Sequence, residues 1–202
     1  MTYTDFVEDN RVQTAVRRAM TADEVDRFLQ ATAAGKKYEV GTPGERVVIY
    51  RMFLETGLRP GELFSLTPSQ IDFESGCLMM ASKTKGLDML PIRANLLELL
   101  WKRIKILRIG PHERVFRHSR CQVLDAFYRD LHSAGIERMG RDGRIIDLYS
   151  LRQTFGMTLA MAGVPLLTVQ RLMRHERVNQ TIRLYIDVES MDEHQALALL
   201  SK

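Results

Sequence analysis

Apolar residues recur along most of this 202-residue chain at the three-to-four-residue interval of helices lying on a core. Thr21 followed by Glu24 has the spacing of a capping box, and Val25, Phe28 and Leu29 continue it as a helix that stops before Gly35. A second helix starts at Pro43, a favoured first-turn residue, and carries Val47, Val48, Tyr50, Met52, Phe53 and Leu54 up to Gly57. Its apolar residues fall on nearly every side, which predicts a central, buried helix. A short helical turn runs from Pro60 to Leu66, and the period then changes. Ile71 to Phe73, Cys77 to Ala81 and Leu87 to Ile92 are β-prone runs parted by Glu74-Ser75-Gly76 and Lys83-Thr84-Lys85-Gly86, a pattern of three antiparallel strands. Helical spacing returns with Leu96, Leu97, Leu99, Leu100, Ile104 and Leu107, and again with Val123, Leu124, Phe127 and Leu131 before Gly135. Ile136 to Arg144 reads as a loop. Helices over roughly 150–162, 165–174, 178–185 and 191–201 complete the chain, with Gly163 and Pro165 punctuating the first pair. The expected fold is mostly α with a small three-stranded antiparallel sheet (α+β), as one domain over 21–202 preceded by an arm or linker over 1–20.

Composition narrows the class. Hydrophobic residues make up 45% and charged residues 27%, an ordinary balance for a globular domain. The net charge of +4 understates how basic the middle is: Lys102, Arg103, Lys105, Arg108, Arg114, Arg117 and Arg120 face one acid, Glu113. That run suits either a polyanionic partner or a solvated basic face. Cys77 and Cys121 lie far apart without metal-ligand spacing, so neither a disulfide scaffold nor a metal site is expected. No apolar run approaches the length of a membrane span, and a cytoplasmic protein is expected.

The candidate chemistry lies mostly between 147 and 188, where Arg152, His175 and Tyr185 suit a phosphate. An arginine fork matches phosphate oxygens, a histidine adds a donor, and a tyrosine hydroxyl can serve as a covalent nucleophile. The stretch TGLRPGELFSL adds Arg59 and Glu62 from nearly a hundred residues upstream.

In their order, these segments resemble the catalytic domain of the tyrosine recombinase, or phage integrase, family. TGLRPGEL resembles the family's first-arginine box, giving Arg59 as a phosphate clamp and Glu62 as its supporting acid. SKTKGLDMLPI resembles the β-turn that delivers a catalytic lysine, which falls on Lys83. LYSLRQTF resembles the box written HxxRH, giving Arg152, and LMRHERVNQTIRLY resembles the segment holding His175 and the nucleophile Tyr185. The resemblance implies site-specific DNA recombination, by cleavage and rejoining through a 3′-phosphotyrosine, with no metal and no cofactor. It also implies double-stranded DNA as partner, association with the nucleoid when bound, and self-association through the C-terminal helix 191–201. Lys85, Arg174 and Arg177 are expected to contact DNA. The N-terminal clamp domain usual in the family is expected to be absent.

The chain departs from the family pattern in three places. Tyr149 stands where histidine or lysine is usual, and a phenol there can donate to a phosphate oxygen but not act as a base near neutral pH. Gln153 replaces a frequent histidine, and the His175–Tyr185 interval is one residue longer than the commonest one. Two other readings compete. MAGVPLLTVQRLMRH has the outline of a helix-turn-helix regulator, and a type IB topoisomerase shares the chemistry.

Overall fold

The computed structural model describes residues 16–82 and 86–186, so Lys83, Lys85 and the helix expected at 191–201 lie outside the described residues. Within them the order is α1 (Ala22–Ala34), α2 (Pro43–Thr56), α3 (Pro60–Ser65), a 3₁₀ turn (Pro68–Gln70), β1 (Ile71–Asp72), β2 (Cys77–Ser82), β3 (Gly86–Pro91), α4 (Ala94–Ile106), α5 (Arg120–Ser133), α6 (Leu148–Met161) and α7 (Leu166–Met173). A last helix, α8, covers 178–186.

Local sequence sets most boundaries. The Thr21 hydroxyl accepts the Glu24 amide at 3.2 Å while Glu24 accepts the Thr21 amide at 2.9 Å, closing the expected capping box on α1. Thr42 and Glu45 make a second box ahead of Pro43. Gly57 ends α2 in the left-handed conformation, φ 60° and ψ 25°, with its amide returned to the Phe53 carbonyl at 3.0 Å.

Helix α2 is the central element, flanked by α1 and α6. Phe28, Tyr50 and Phe127 bring α1, α2 and α5 together as a ring cluster with centroids 4.8–5.7 Å apart. Beside it Arg46, fully buried on α2, meets Asp130 of α5 with Nε at 2.7 Å and Nη2 at 3.0 Å, and the Tyr50 hydroxyl donates to the same carboxylate at 3.0 Å. The apolar spacing of α2 conceals this ion pair.

The sheet has order β1-β2-β3, antiparallel throughout, with Ile71 opposite Leu78 and Leu78 opposite Leu90. Ile71, Leu78 and Leu90 face the core, whereas Leu87 and Met89 on the other face of β3 are exposed. Asp72 builds the first turn, accepting the amides of Glu74 at 3.0 Å and Ser75 at 3.1 Å. Phe73, expected to continue β1, is already in that turn.

Two features rest on long-range contacts. Residues 16–20, at the end of the stretch read as an arm or linker, pair with the start of α6: the Val16 carbonyl accepts the Ile145 amide at 2.9 Å, the Met20 amide donates to Thr154 Oγ1 at 2.9 Å, and Met20 is buried. The basic run is partly structural, because Arg103 pairs with Glu45 at 2.7 Å and donates to the Val115 carbonyl at 2.9 Å. Lys102 pairs with Glu98 at 2.6 Å.

Candidate active site

The Arg59-Pro60-Gly61-Glu62 sequence is a self-contained device. Pro60 starts α3, and Glu62 in its first turn reaches back to the Arg59 amide at 2.6 Å and to Arg59 Nη1 at 2.9 Å. Its other partner is Arg174, whose Nη2 donates at 2.6 Å. Burial opposes ionisation of Glu62, but the Arg174 charge, the Arg59 amide and the Arg59 guanidinium outweigh it and hold the carboxyl below its ordinary value. Arg59 Nη2 donates to the Arg174 carbonyl at 2.8 Å, so α3 and the turn after α7 are joined twice.

Helix α6 begins at Asp147, which caps the amides of Tyr149 at 2.8 Å and Ser150 at 3.1 Å and pairs with Arg17 at 2.7 Å. That cap fixes the first turn, which carries Tyr149 and then Arg152. Arg152 is buried, and its two terminal nitrogens donate to the carbonyls of Gly57 and Met173. Burial, followed by the charges of Arg59 and Arg174, pushes Arg152 down to about 9. Gly57 is needed here for space as well as conformation, since a Cβ would lie 2.5 Å from Phe155 Cδ1.

His175 follows α7, and its Nδ1 lies 2.9 Å from Oγ1 of the fully buried Thr181 on α8. Burial first, then Arg152, Arg59 and Arg174, lowers the imidazole to about 4. It is therefore neutral at pH 7, with one N–H; the tautomer with that N–H on Nε2 is the one in which the Thr181 hydroxyl donates to Nδ1.

The site opens into a cavity of about 420 Å³ lined by Arg17, Arg144, Tyr149, Arg152, His175 and Arg183, with Gln153, Gln180 and Leu184 among its other walls. Of the expected site residues Tyr149, Arg152 and His175 line this cavity; Arg59 and Glu62 are not among its lining residues, although the Arg59 charge is near enough to act on both Arg152 and His175. Arg177 is exposed on the turn before α8. Arg174, expected to face DNA, is turned inward instead, its side chain 5% exposed and held by Glu62. Tyr185 is not among the cavity residues. Its hydroxyl donates to the Val164 carbonyl, its ring packs beside Val169, Met173 and Leu184, and burial raises its pKa. Sequence reading missed Thr181, Arg17, Arg144 and Arg183, although Thr181 lies one helical turn before Tyr185, a spacing that places two side chains on one face. Among the described residues no group of three or more His, Cys, Asp or Glu could hold a metal ion, and no helix is long and apolar enough to cross a membrane.

The fold recurs in solved proteins. XerH site-specific recombinase bound to palindromic difH substrate superposes with a TM-score of 0.70 at 18% identity, covering 93% of this chain and 54% of that one. The catalytic domain of bacteriophage HP1 integrase gives 0.61 at 20% identity, over 85% and 88% respectively. The architecture is therefore that of tyrosine recombinase catalytic domains. The family model described as "Phage integrase family" matches residues 18–191, and the chain belongs to that family. Its similarity extends to the tyrosine recombinase XerC of Thermodesulfovibrio yellowstonii, 23% identical over 202 residues, covering 93% of this chain and 64% of the relative. The chain thus spans under two thirds of that relative's length.

Proposed function

We propose that the chain performs site-specific DNA recombination, cutting and rejoining a DNA strand through a covalent 3′-phosphotyrosine on Tyr185. The carrying observation is that Arg152 and His175 line one open cationic cavity while Arg59, braced by Glu62, lies near enough for its charge to act on both. The family membership favours this over the helix-turn-helix regulator, and α7 supports the reading because its buried Val169 and Met173 underlie the site.

In this mechanism a phosphodiester enters the cavity with its non-bridging oxygens toward Arg59, Arg152 and His175 Nε2–H, and Tyr149 adds a phenolic donor. These donors stabilise the charge that gathers on the phosphoryl group in the transition state. Tyr185 gives its phenolic proton to solvent water and attacks phosphorus, a P–O bond to Tyr185 forms, the bond to the 5′ oxygen breaks, and Lys83 gives that oxygen its proton. Once turned into the cavity, the phenol would come under its arginine charges, which favour the ionised form. Because Tyr185 rests on the Val164 carbonyl, attack requires α8 to turn it toward the cavity. The phosphotyrosine conserves the bond energy, so rejoining reverses these steps without a nucleotide cofactor.

Double-stranded DNA is the proposed substrate, with Lys85 and Arg177 on its backbone, in the cytoplasm and on the nucleoid when bound. Helix 191–201, with Ala196, Leu197, Leu199 and Leu200 on one side, is proposed to dock on a second copy assembled on the same DNA. The test uses nicked suicide duplexes drawn from a randomised pool. A protein–DNA adduct that survives denaturation and disappears in Tyr185→Phe supports the reading. DNA retention without adduct at any sequence overturns it in favour of the regulator, and relaxation of arbitrary supercoiled DNA favours a topoisomerase.

A further inference from the structure

Residue 174 sits in a backbone conformation that suits glycine, φ 50° and ψ 47°, at the end of α7. An arginine there accepts a strained backbone, and such strain persists where the surrounding structure holds the side chain to a use. That side chain is 5% exposed, its Nη2 lies 2.6 Å from Glu62 Oε2, and its Nε is buried without a hydrogen-bond partner. The residue also holds Arg59 through its own carbonyl at 2.8 Å. Arg59, Glu62 and Arg174 therefore form a closed ring, each held by the next.

Charge gives the ring a purpose. Arg59, Arg152 and Arg174 bring three positive charges, and Glu62, which touches two of them, brings one negative charge, an excess of two within this group. A DNA phosphodiester carries about one negative charge, whereas the five-coordinate phosphoryl group formed on attack carries about two. The group matches the second better than the first. The depressed values of Arg152 and His175, to which Arg174 contributes, show that this charge is felt across the site.

We propose that Arg174 is a positioning residue of the phosphate site: through Glu62 and its own carbonyl it sets the orientation of Arg59, and its buried charge favours the transition-state phosphate over resting DNA. This rests on the strand-transfer reading above, and it assigns Arg174 to the interior of the site rather than to the DNA backbone. The orientation of Arg59 depends on three contacts, of which Arg174→Gly removes the shared counter-charge and leaves the carbonyl. Glycine fits the left-handed backbone, so this variant folds.

The experiment compares the full chain with Arg174→Gly and Arg174→Lys. At saturating suicide DNA, the first-order rate of adduct formation should fall roughly 30-fold in Arg174→Gly, with DNA affinity changed less than about threefold. Arg174→Lys, which keeps the charge but not the fork, should recover part of the rate. NMR titration of His175 should show its pKa moving up in Arg174→Gly, and inorganic phosphate should bind that variant more weakly. Wild-type adduct rates in Arg174→Gly, or a loss that lies wholly in DNA affinity, or equal losses in Gly and Lys, each overturn the proposal while strand transfer stands. If no protein forms an adduct, strand transfer falls and the NMR arm decides. A raised His175 pKa with weakened phosphate binding then supports the positioning role, and unchanged values overturn it.

Discussion

His175→Gln should flatten the acid side of the stability profile. In the folded chain the imidazole is lowered to about 4 from an ordinary 6.5, so between these values the unfolded chain binds a proton that the folded chain refuses. Stability from this group is complete above pH 6.5, drains as pH falls toward 4, and is constant below. A separation of about 2.5 at about 1.4 kcal/mol each gives about 3.4 kcal/mol, which partial exposure and solvent screening reduce to about 1–2 kcal/mol. Urea unfolding of both proteins at steps from pH 7.5 to 4.5 measures it, since carboxylates such as Glu62 are common to both and cancel in the difference. Wild type should lose that increment relative to His175→Gln across the interval. Parallel profiles would show that His175 charges as readily in the folded chain as in the unfolded one. The neutral imidazole and the Thr181 tautomer argument would then fall with it. Bound phosphate should reverse the trend, because an anion beside the ring favours its charged form.

Three further outcomes follow from contacts described above. Asp130→Asn strips the counter-charge from fully buried Arg46 and should cost about 3 kcal/mol, roughly 10 °C in Tm at this size, read by thermal unfolding. Gly57→Ala meets both a positive φ and Phe155, and should destabilise by about 2 kcal/mol and slow adduct formation, whereas Gly143→Ala, with positive φ but open space, should cost about 1 kcal/mol and leave the rate unchanged. Tyr149→Phe should weaken cleavage while Tyr149→His preserves or raises it; equal adduct rates in all three proteins would remove Tyr149 from the reaction.

What the sequence disclosed was mostly local. The Thr21/Glu24 box, Pro43, Gly57 and the Asp72 to Cys77 turn each act within a few residues, so helix and strand positions were readable from spacing alone. The Arg59-to-Glu62 unit is equally local, but its roles came from the family resemblance of TGLRPGEL rather than from spacing. Arg152 lies on α6, yet its carbonyl partners come from Gly57 and Met173, which no spacing rule connects. Arg46 and Asp130 are 84 residues apart, and the apolar period of α2 hides an arginine whose charge is matched from another helix. Arg174 was expected to contact DNA; the left-handed turn that directs its side chain inward is a backbone choice, which side-chain identity alone does not reveal. The direction of Tyr185 was equally hidden, since adjacent helix residues differ by about 100° and the origin of that rotation is set by the turn after His175.

The pairing of residues 16–20 with the start of α6 makes the site a point where mechanical load is transmitted. Val16 and Arg18 exchange backbone hydrogen bonds with Ile145, and Arg17 grips Asp147, the residue that caps the turn bearing Tyr149 and leading to Arg152. A pull applied upstream of Val16 reaches that cap through these bonds before it can reach the helical core, so tension along the chain is delivered to the phosphate cavity as displacement of its arginine.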